Sequence, residues 1–416
     1  MTRPQPTLAH LDALTGVRAL AALWVFAYHA WLAGGAKPVA ITLAGLQADF
    51  TPWFAFGWLG LDIFFILSGF LLTRQEWIRH ERDEADKPAA GMRRFRDFYG
   101  RFIRNRILRV YPAYYLCLTL LIVLAATHLY LKLPGRVELL LHLPMMHNAI
   151  EAYIATMNGM FWSLPFEWTF YLVFPFLFVF LVRSGPWLLA AWVVAIVLAA
   201  KTVVIASDDG FMQTQLPIRL DSFVFGMCAG RFAARAPLLR RAASLAFWVG
   251  LVALLCTPIL FFDLPTGNHY YSFKGFVRPL WIELGVILML LGMTGERHPG
   301  VAIFGNKVAV GLGLISYSLY LLHVPVMEMF IIHRPKLGPL ATLPYGLPLL
   351  LAVALPLVIL ASYLSYKLVE QPFQRHRAWR GRWWAKDGRG LLGRVDPLLV
   401  LLAWAVLLMV VVEWVR

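Results

Sequence analysis

Long runs of apolar residues, separated by shorter polar or basic segments, extend over almost the whole chain. Each run holds about 17–24 residues, the length that an α-helix needs to cross the hydrocarbon core of a bilayer. A membrane β-barrel would instead show alternating segments of about ten residues. The pattern predicts an all-α, polytopic transmembrane helix bundle with a ten-span core and one extra C-terminal span. The eleven predicted helices occupy residues 14–33, 55–73, 107–129, 163–182, 187–205, 216–232, 244–262, 277–294, 309–331, 345–366 and 396–414.

The last predicted span follows a long basic segment rather than a short loop, with Arg and Lys residues spread from Lys367 to Arg394. We therefore divide the chain into three parts. Residues 1–375 form the ten-span transmembrane domain, residues 376–395 form a basic cytoplasmic linker, and residues 396–416 form an additional transmembrane helix.

The composition excludes a soluble or a disordered chain. Hydrophobic residues make up 60% of the 416 residues, and charged residues make up 15%, whereas ordinary soluble chains have roughly 25% charged residues. A soluble fold could not keep this much apolar surface away from water.

The net charge of +15 would suggest nucleic acid as a partner if the protein were soluble. The basic residues instead lie in clusters between the apolar runs, chiefly within 74–109 and 367–394, and no nucleic-acid-binding motif accompanies them. Basic residues that alternate with spans mark cytoplasmic loops. We therefore expect a multi-pass membrane protein with a cytoplasmic N-terminus and no nucleic-acid partner.

The three cysteines, Cys117, Cys228 and Cys256, each lie inside an apolar run, which favours packing thiols over disulfides or metal ligands. The sequence has no paired C-x-x-C, no H-E-x-x-H and no G-x-x-x-x-G-K-[ST]. We therefore expect no metal site and no ATP-driven activity.

The first predicted span carries two ionisable residues, Arg18 and His29, in an otherwise apolar stretch. Such residues are costly at membrane depth and usually mark a functional cavity. Eleven residues of α-helix turn through about 1100°, so both side chains fall within about 20° on one face, about 16 Å apart along the axis. The alternatives are that Arg18 extends to the inner headgroups and that His29 forms a hydrogen bond between helices.

The second predicted span contains Asp62 and Ser68. Asp62 is a candidate partner that orders the tautomer of His29, and its alternative role is an N-cap or a structural ion pair. Ser68, followed by Gly69, is a candidate contact for a bound donor molecule. Small residues more often allow close helix packing, and packing is the interpretation that we favour here.

Basic residues approach the third span at helical spacing, in the stretch RFIRNRILRVYPAYY. Arg104, Arg106 and Arg109 could bind phosphate groups of a donor molecule. From charge alone, anchoring to anionic lipid headgroups is the better interpretation.

Polar residues at the outer ends of later spans indicate a polar pocket. Glu167 opens the fourth span between Trp162 and Tyr171, and Arg219 with Asp221 could form an ion pair that closes the pocket. Tyr317 and His323 add polar groups to the ninth span. Besides Glu167, six residues are candidates for substrate binding: Trp162, Tyr171, Arg219, Asp221, Tyr317 and His323.

The order of these segments resembles acyltransferase family 3, a group of integral membrane proteins that O-acylate bacterial surface glycans and related hydroxyl acceptors. The resemblance covers residues from about 14 to 375. It rests on LTGVRALAALWVFAYH, GLDIFFILSGFLL, RNRILRVYPAYY, FWSLPFEWTFYLVFP, RLDSFVFG, ISYSLYLLHVP and LVEQPFQR.

The resemblance implies that Arg18 and His29 are the essential pair. Arg106 and Arg109 would belong to an inner basic motif, and Glu167 and Tyr171 to an outer acidic motif. It further implies a transferase of the bacterial inner membrane that modifies polysaccharide in the cell envelope. Family members often carry a C-terminal periplasmic hydrolase-like domain. We expect no such domain in this sequence, and we therefore expect the chain to work alone or with a separate periplasmic partner.

We accordingly expect acyl-CoA, most simply acetyl-CoA, to bind from the cytoplasm through the arginine cluster and Arg18. The pantetheine arm is roughly as long as the separation of Arg18 and His29, so it would carry the thioester to His29. His29, oriented by Asp62 or Glu167, would act as general base on a hydroxyl of a glycan or glycolipid, or as a covalent acyl relay. These two mechanisms stay open.

A function of another class is a transporter or flippase for an anionic or glycolipid solute, with Arg18 and His29 lining the path. It requires substrate movement without covalent change. The sequence has no tandem repeat and no inverted pair of broken helices, which disfavours this alternative.

Overall fold

The computed structural model describes residues 8–43, 46–86, 91–129, 133–207, 215–235, 238–262, 273–294, 299–377 and 396–415. Most of the predicted basic linker therefore lies outside the described residues.

The described part of the chain is almost entirely helical, with one antiparallel pair of strands, β1 (Ala40–Leu43) and β2 (Leu46–Asp49). The helices are α1 (Leu8–Ala33), α2 (Thr51–Ala55), α3 (Leu59–Asp86), α4 (Gly91–Ala126), α5 (Arg136–His142), α6 (Leu164–Ser184), α7 (Pro186–Ser207), α8 (Leu220–Arg235), α9 (Arg240–Phe261), α10 (Phe273–Gly292), α11 (Pro299–Phe304), α12 (Lys307–Leu314), α13 (Ser316–His333), α14 (Pro339–Thr342), α15 (Leu347–Leu349), α16 (Leu355–Ser365), α17 (Gln371–Arg377) and α18 (Pro397–Val415).

Shorter helical turns complete the described part of the chain. They are the 3₁₀ turns His147–Ala149, Glu151–Tyr153, Gly159–Ser163, Leu216–Arg219 and Arg334–Lys336 and the π-helical turns Leu350–Ala354 and Tyr366–Glu370.

The prediction of a helical membrane fold is confirmed. Among the described residues, six helices are long and apolar enough to cross a bilayer, or seven if α12 and α13 count as one broken span. Shorter apolar helices cover Pro186–Ala199 and Pro279–Gly292. The exact number of ten core spans plus one stays a prediction.

Two helices run further into the charged segments than the apolar pattern predicts. The second predicted span ends at residue 73, but α3 continues to Asp86, and α4 begins at Gly91 rather than near residue 107. Arg and Glu are good helix formers, and pairs at i,i+3 such as Glu76 and Arg79, 2.7 Å apart, support the helix. Apolar patterning marks only the part of a helix that faces lipid or core.

The chain folds as two units. One unit combines residues 1–89, 176–316 and 344–352, and the other combines residues 90–175, 317–343 and 353–416. We call them unit 1 and unit 2.

Unit 1 has an apolar core built mainly from α1, α3, α9 and α10. Its central side chains are almost completely buried, and they include Val17, Leu59, Ile63, Ile66, Phe70, Phe247, Val286 and Met289.

Helices α3 and α8 of unit 1 cross at backbone contact, because glycines occupy both sides of the crossing. A Cβ atom on Gly69 would overlap the carbonyl of Phe223, and one on Gly226 or Gly230 would overlap the carbonyl of Ile66 or Phe70. Gly226 and Gly230 form a G-x-x-x-G pair, the spacing that lets membrane helices approach most closely.

Unit 2 is held by aromatic packing and by α18. The rings of Phe102 and Phe174 stack with centroids 4.7 Å apart. The additional helix α18 packs on α4, where the indole N–H of Trp404 donates to Thr119 Oγ1 at 2.9 Å. Further along α18, Glu413 accepts two hydrogen bonds of 2.5 Å from Arg136 of α5.

Two buried histidines stack between α5 and the first 3₁₀ turn of unit 2. The rings of His142 and His147 lie 4.1 Å apart at an angle of 16°. His142 Nε2 lies 3.1 Å from Thr156 Oγ1, and His147 Nε2 donates to the carbonyl of Phe161 at 2.9 Å. Burial lowers the pKa of His142 to about 2, with the neighbouring His147 adding to the effect, and burial lowers the pKa of His147 to about 4.

We predict that Gly226→Ala lowers the stability of the protein by about 1–3 kcal/mol, because a methyl group at this crossing forces the helices apart. The matched control is Gly311→Ala, where nothing lies within 4 Å of the added Cβ. Thermal unfolding in detergent measures both variants. Equal losses for the two variants would contradict the close contact of α3 and α8.

We also predict that acid destabilises the protein through the stacked histidines. The unfolded chain binds protons at these residues below about pH 6.5, whereas the folded chain resists protonation down to about pH 4. Stability is therefore full above pH 6.5 and falls below it by up to about 1.4 kcal/mol per pH unit for each histidine. Unfolding between pH 7 and pH 5 should show a shallower slope for the double variant His142→Gln, His147→Gln. An unchanged slope would show that the pair does not titrate in this way.

Candidate active site

Helix α1 presents the two ionisable residues of its apolar sequence as half-buried side chains in unit 1. Arg18 and His29 lie on one continuous helix, so the separation of about 16 Å along its axis follows directly from the helical rise. The neighbouring residues Val17, Ala19, Val25 and Ala30 are buried. The structure thus places both residues on one helix, as the sequence predicts, and their role in a site stays a prediction.

A backbone hydrogen bond sets the tautomer of His29. Its Nδ1 lies 2.8 Å from the carbonyl oxygen of Val25, one turn earlier. A carbonyl oxygen can only accept, so Nδ1 carries the proton and the neutral ring has its lone pair on Nε2. The ring of Tyr28 stands edge-on to the imidazole, with centroids 4.8 Å apart. His29 thus presents Nε2 as the basic and nucleophilic atom.

Asp62 of α3 forms an ion pair with Arg219, which ends the 3₁₀ turn before α8. Arg219 Nη1 lies 2.9 Å from Asp62 Oδ1, and the two side chains are 16% and 7% exposed. The expected structural alternative for Asp62 is thus present in unit 1. The pair shown for Arg219 joins residues 157 positions apart in the chain, and the expected ion pair of Arg219 with Asp221 stays a prediction.

Beside Asp221 lies a second buried carboxylate, Glu283, which was not among the candidates from the sequence. Asp221 Oδ1 accepts the backbone N–H of Ser222 at 3.0 Å, as expected for a carboxylate in the first turn of a helix. Ser222 Oγ donates to Glu283 of α10 at 2.8 Å, and Glu283 is 2% exposed. The signal was available, since a single Glu interrupts the apolar segment PLWIELGVIL.

Ser68 lies half-buried on α3, directly before the glycine that meets the backbone of α8. Its position at the helix crossing agrees with the packing role that the sequence favours.

The arginines of α4 belong to unit 2, and they differ in their surroundings. Arg104 lies 3.5 Å from Asp396, and both side chains are well exposed, so this pair contributes little. The guanidinium of Arg106 lies over the rings of Phe102 and Tyr171, at 5.5 Å and 5.6 Å from their centroids.

Arg109 instead forms a buried ion pair with Glu370. Its Nη1 lies 2.6 Å from Glu370 Oε2, and the two side chains are 14% and 0% exposed. The guanidinium also lies 5.9 Å from the ring centroid of Tyr317. Glu370 lies in the segment LVEQPFQR, and no sequence pattern links it to Arg109, because the two residues are 261 positions apart.

Tyr171 links the acidic motif of α6 to Arg106 of α4. The Tyr171 hydroxyl donates to Glu167 one turn earlier, and the same ring faces Arg106. Trp162, in the 3₁₀ turn before α6, is half-buried and packs edge-on against Phe166 at 5.7 Å. Unit 2 thus brings Arg106, Tyr171 and Glu167 together.

Helix α13 places Tyr317 and His323 in the interior of unit 2. Both are buried, and the Tyr317 hydroxyl has no hydrogen-bond partner among the described residues. His323 Nδ1 donates to the carbonyl of Tyr320 at 2.7 Å. The Tyr320 hydroxyl lies 2.5 Å from Ser163 Oγ and donates to the carbonyl of Met160 at 2.9 Å, which ties α13 to the turn that precedes Glu167.

A proline in α13 explains a second contact between this helix and the segment that precedes α6. Pro325 has no N–H, so the carbonyl of Leu321 loses its helical partner. Asn158 Nδ2 donates to this carbonyl at 3.1 Å, and the Cys117 thiol donates to it at 3.5 Å. The unsatisfied carbonyl is thereby used to fix the segment that leads into α6.

No group of three or more His, Cys, Asp or Glu side chains that could hold a metal ion occurs within the described ranges.

The chain is similar in sequence to one family model and to proteins named as O-acetyltransferases. The acyltransferase domain family matches residues 11–367. The peptidoglycan O-acetyltransferase OatA of Listeria monocytogenes is 24% identical over 399 residues, and the O-acetyltransferase OatA of Staphylococcus aureus is 22% identical over 401 residues. No solved structure matches the chain significantly.

Each of these two alignments covers 88% of this chain, but only 56% and 57% of the two relatives, so the chain spans just over half their length. The family match runs over most of the chain and includes Arg18, His29, Arg106, Arg109 and Glu167. The chain therefore belongs to acyltransferase family 3.

Proposed function

We propose that this protein is a membrane O-acyltransferase. It moves an acyl group, most simply acetyl, from cytoplasmic acyl-CoA to a hydroxyl of an extracytoplasmic glycan or glycolipid. The observation that carries the proposal is the hydrogen bond from His29 to the carbonyl of Val25, because it leaves Nε2 as the basic atom of an imidazole in an apolar helix.

The relatives support acetyl as the acyl group and a glycan as the acceptor. One is named a peptidoglycan O-acetyltransferase and the other an O-acetyltransferase. We extend this to the present chain as a proposal, with peptidoglycan as the first acceptor to test.

The arginine-rich turn of α4 and Arg18 are the proposed donor contacts. Acyl-CoA carries several phosphate charges, and guanidinium groups bind phosphate through charge-assisted, often bidentate hydrogen bonds. Arg104, Arg106 and Arg109 arise from consecutive turns of one helix, which suits an extended phosphate ligand. Ser68 stays a weaker candidate for the same ligand.

In the simplest mechanism, His29 acts as general base. Nε2 removes the proton of the acceptor hydroxyl while the oxygen attacks the thioester carbonyl. The C–S bond then breaks, and the CoA sulfur leaves with the proton that the imidazolium returns. The products are an acyl ester and free CoA, so no other reactant is needed.

The competing mechanism is a covalent relay, in which Nε2 itself attacks the thioester and releases CoA before the acceptor binds. Only this path allows labelled CoA to exchange into acyl-CoA in the absence of an acceptor. The two mechanisms need the same tautomer of His29.

Asp62, Glu167 and the polar groups of α6, α8 and α13 are proposed to orient the reactants. Asp62 would act through its ion pair with Arg219. Glu167, with Tyr171 as its hydrogen-bond donor, would bind acceptor hydroxyls, together with Trp162, Tyr317 and His323. Asp221 would hold the first turn of α8.

The proposed location is the bacterial inner membrane with a cytoplasmic N-terminus. The asymmetric distribution of Arg and Lys between successive loops supports this orientation.

We predict that His29→Asn lowers acyl transfer at least 100-fold, because Asn lacks the Nε2 base and general bases contribute about 10²–10⁴ in rate. The assay follows CoA release and ester formation by purified protein in nanodiscs. The matched control is His128→Asn, since His128 is exposed and lies outside the proposed site. Its backbone has a positive φ of 57°, which Asn tolerates. Activity within a few-fold of the unaltered protein in His29→Asn would refute the mechanism.

We predict that Arg18→Met weakens CoA binding by about 10-fold or more, since a hydrogen bond to a charged group contributes about 1.5–3 kcal/mol. Calorimetry with the purified protein measures the dissociation constant directly. Lys37→Met provides the control, because Lys37 is an exposed basic residue of the same unit. An unchanged affinity in Arg18→Met would remove Arg18 from the donor site.

A further inference from the structure

We propose that Glu370 is a positioning residue that holds Arg109 in place for the phosphates of the acyl donor. This inference rests on the proposed function and deepens it, because it assigns a role to a residue for which neither the sequence pattern nor the relatives suggest one. Its basis is the geometry of one carboxylate in the interior of unit 2.

The ion pair of Arg109 and Glu370 is short and shielded from solvent. The two atoms lie 2.6 Å apart, and Glu370 is completely buried. A buried carboxylate is costly unless it is paired and hydrogen-bonded, so this position must be stabilised by its surroundings.

Three donors satisfy the carboxylate of Glu370. Ser318 Oγ donates to Oε1 at 2.6 Å, Gln374 Nε2 donates to Oε2 at 3.3 Å, and Arg109 completes the set. Ser318 Oγ also lies 2.7 Å from Ser365 Oγ. The carboxylate is therefore held by Ser318 of α13 and Gln374 of α17, independently of its ion pair with Arg109 of α4.

The local backbone contributes to this placement. Residues Tyr366–Glu370 form a π-helical turn between α16 and α17. Such turns insert one extra residue into a helix, change the direction of the side chains that follow, and occur often at functional sites.

Arg109 keeps donors for a ligand while it is held. A guanidinium has five N–H groups, and Glu370 takes one from Nη1. Arg106 lies three residues earlier on α4, which places it one turn away on a neighbouring face. Fixing Arg109 therefore also fixes the rotation of α4 that directs Arg106 towards Tyr171.

A positioning role and a merely neutralising role predict opposite effects on donor binding. If Glu370 positions Arg109, its replacement by Gln releases the guanidinium and weakens donor binding. If Glu370 only offsets charge, its loss adds a net positive charge near the phosphates and strengthens donor binding.

The experiment compares Glu370→Gln with Glu413→Gln in steady-state kinetics and in CoA binding by calorimetry. Glu413 is the matched control, because it also pairs with an arginine of unit 2 at 2.5 Å but lies outside the proposed site. We expect Glu370→Gln to raise the donor KM at least 10-fold with kcat within about 3-fold, and Glu413→Gln to change neither. A donor KM that is unchanged or lowered, or an effect on kcat alone, would overturn the inference.

Glu370→Gln leaves a buried Arg109 without its charged partner, so this variant could fail to fold. The double variant Arg109→Met, Glu370→Met removes both charges and should fold, since buried ion pairs can be replaced by apolar residues with little loss. Its donor KM should also be raised, because Arg109 itself is then missing. A normal KM would show that Arg109 does not bind the donor and would therefore contradict the proposal.

Failure of the proposed function and failure of the positioning role give different experimental results. If the unaltered protein neither binds CoA nor consumes acyl-CoA, the proposed function is wrong. If it does both and Glu370→Gln keeps a normal donor KM, only the positioning role is wrong.

Discussion

Every charged side chain that lies inside the helical core must find a partner, because an apolar surrounding offers no water to stabilise an isolated charge. Two buried carboxylates of this protein meet that constraint with an arginine, Asp62 with Arg219 and Glu370 with Arg109. The helices that carry these residues are consequently fixed in rotation as well as in position. The proposed chemistry depends on this rigidity, since an acyl donor can be oriented only by groups that are themselves held.

His29 is also an ionisable residue in an apolar helix, and as a neutral imidazole it places no charge there. A hydrogen bond to the backbone of its own helix fixes its tautomer without a second charge in the apolar core. The first span thus carries the imidazole that we propose as the base together with Arg18, which is suited to an anionic ligand. Membership of acyltransferase family 3 gives this pair its expected chemistry, and the proposed donor and acceptor follow from that chemistry.

Much of the fold and part of the site could be predicted from the sequence. Apolar runs located most of the helices, because that signal is local, and the placement of Arg18 and His29 on one helix follows from the helical repeat. The functional role of this pair stays a prediction. Helix ends were less predictable, since α3 continues through charged residues that form helix as readily as apolar ones. The pairs Asp62–Arg219 and Ser222–Glu283 could not be predicted, because they join residues 157 and 61 positions apart and depend on how whole helices pack.

The most direct test of the account is acyl transfer by the purified protein in sealed proteoliposomes. Acetyl-CoA with a labelled acetyl group is supplied on one side of the membrane, and a peptidoglycan fragment is supplied on the other. We expect an alkali-labile acetyl ester on the fragment and one free CoA for each ester formed. Passage of the fragment or another solute through the membrane without any covalent change, with acetyl-CoA left intact and unbound, would contradict it and favour transport.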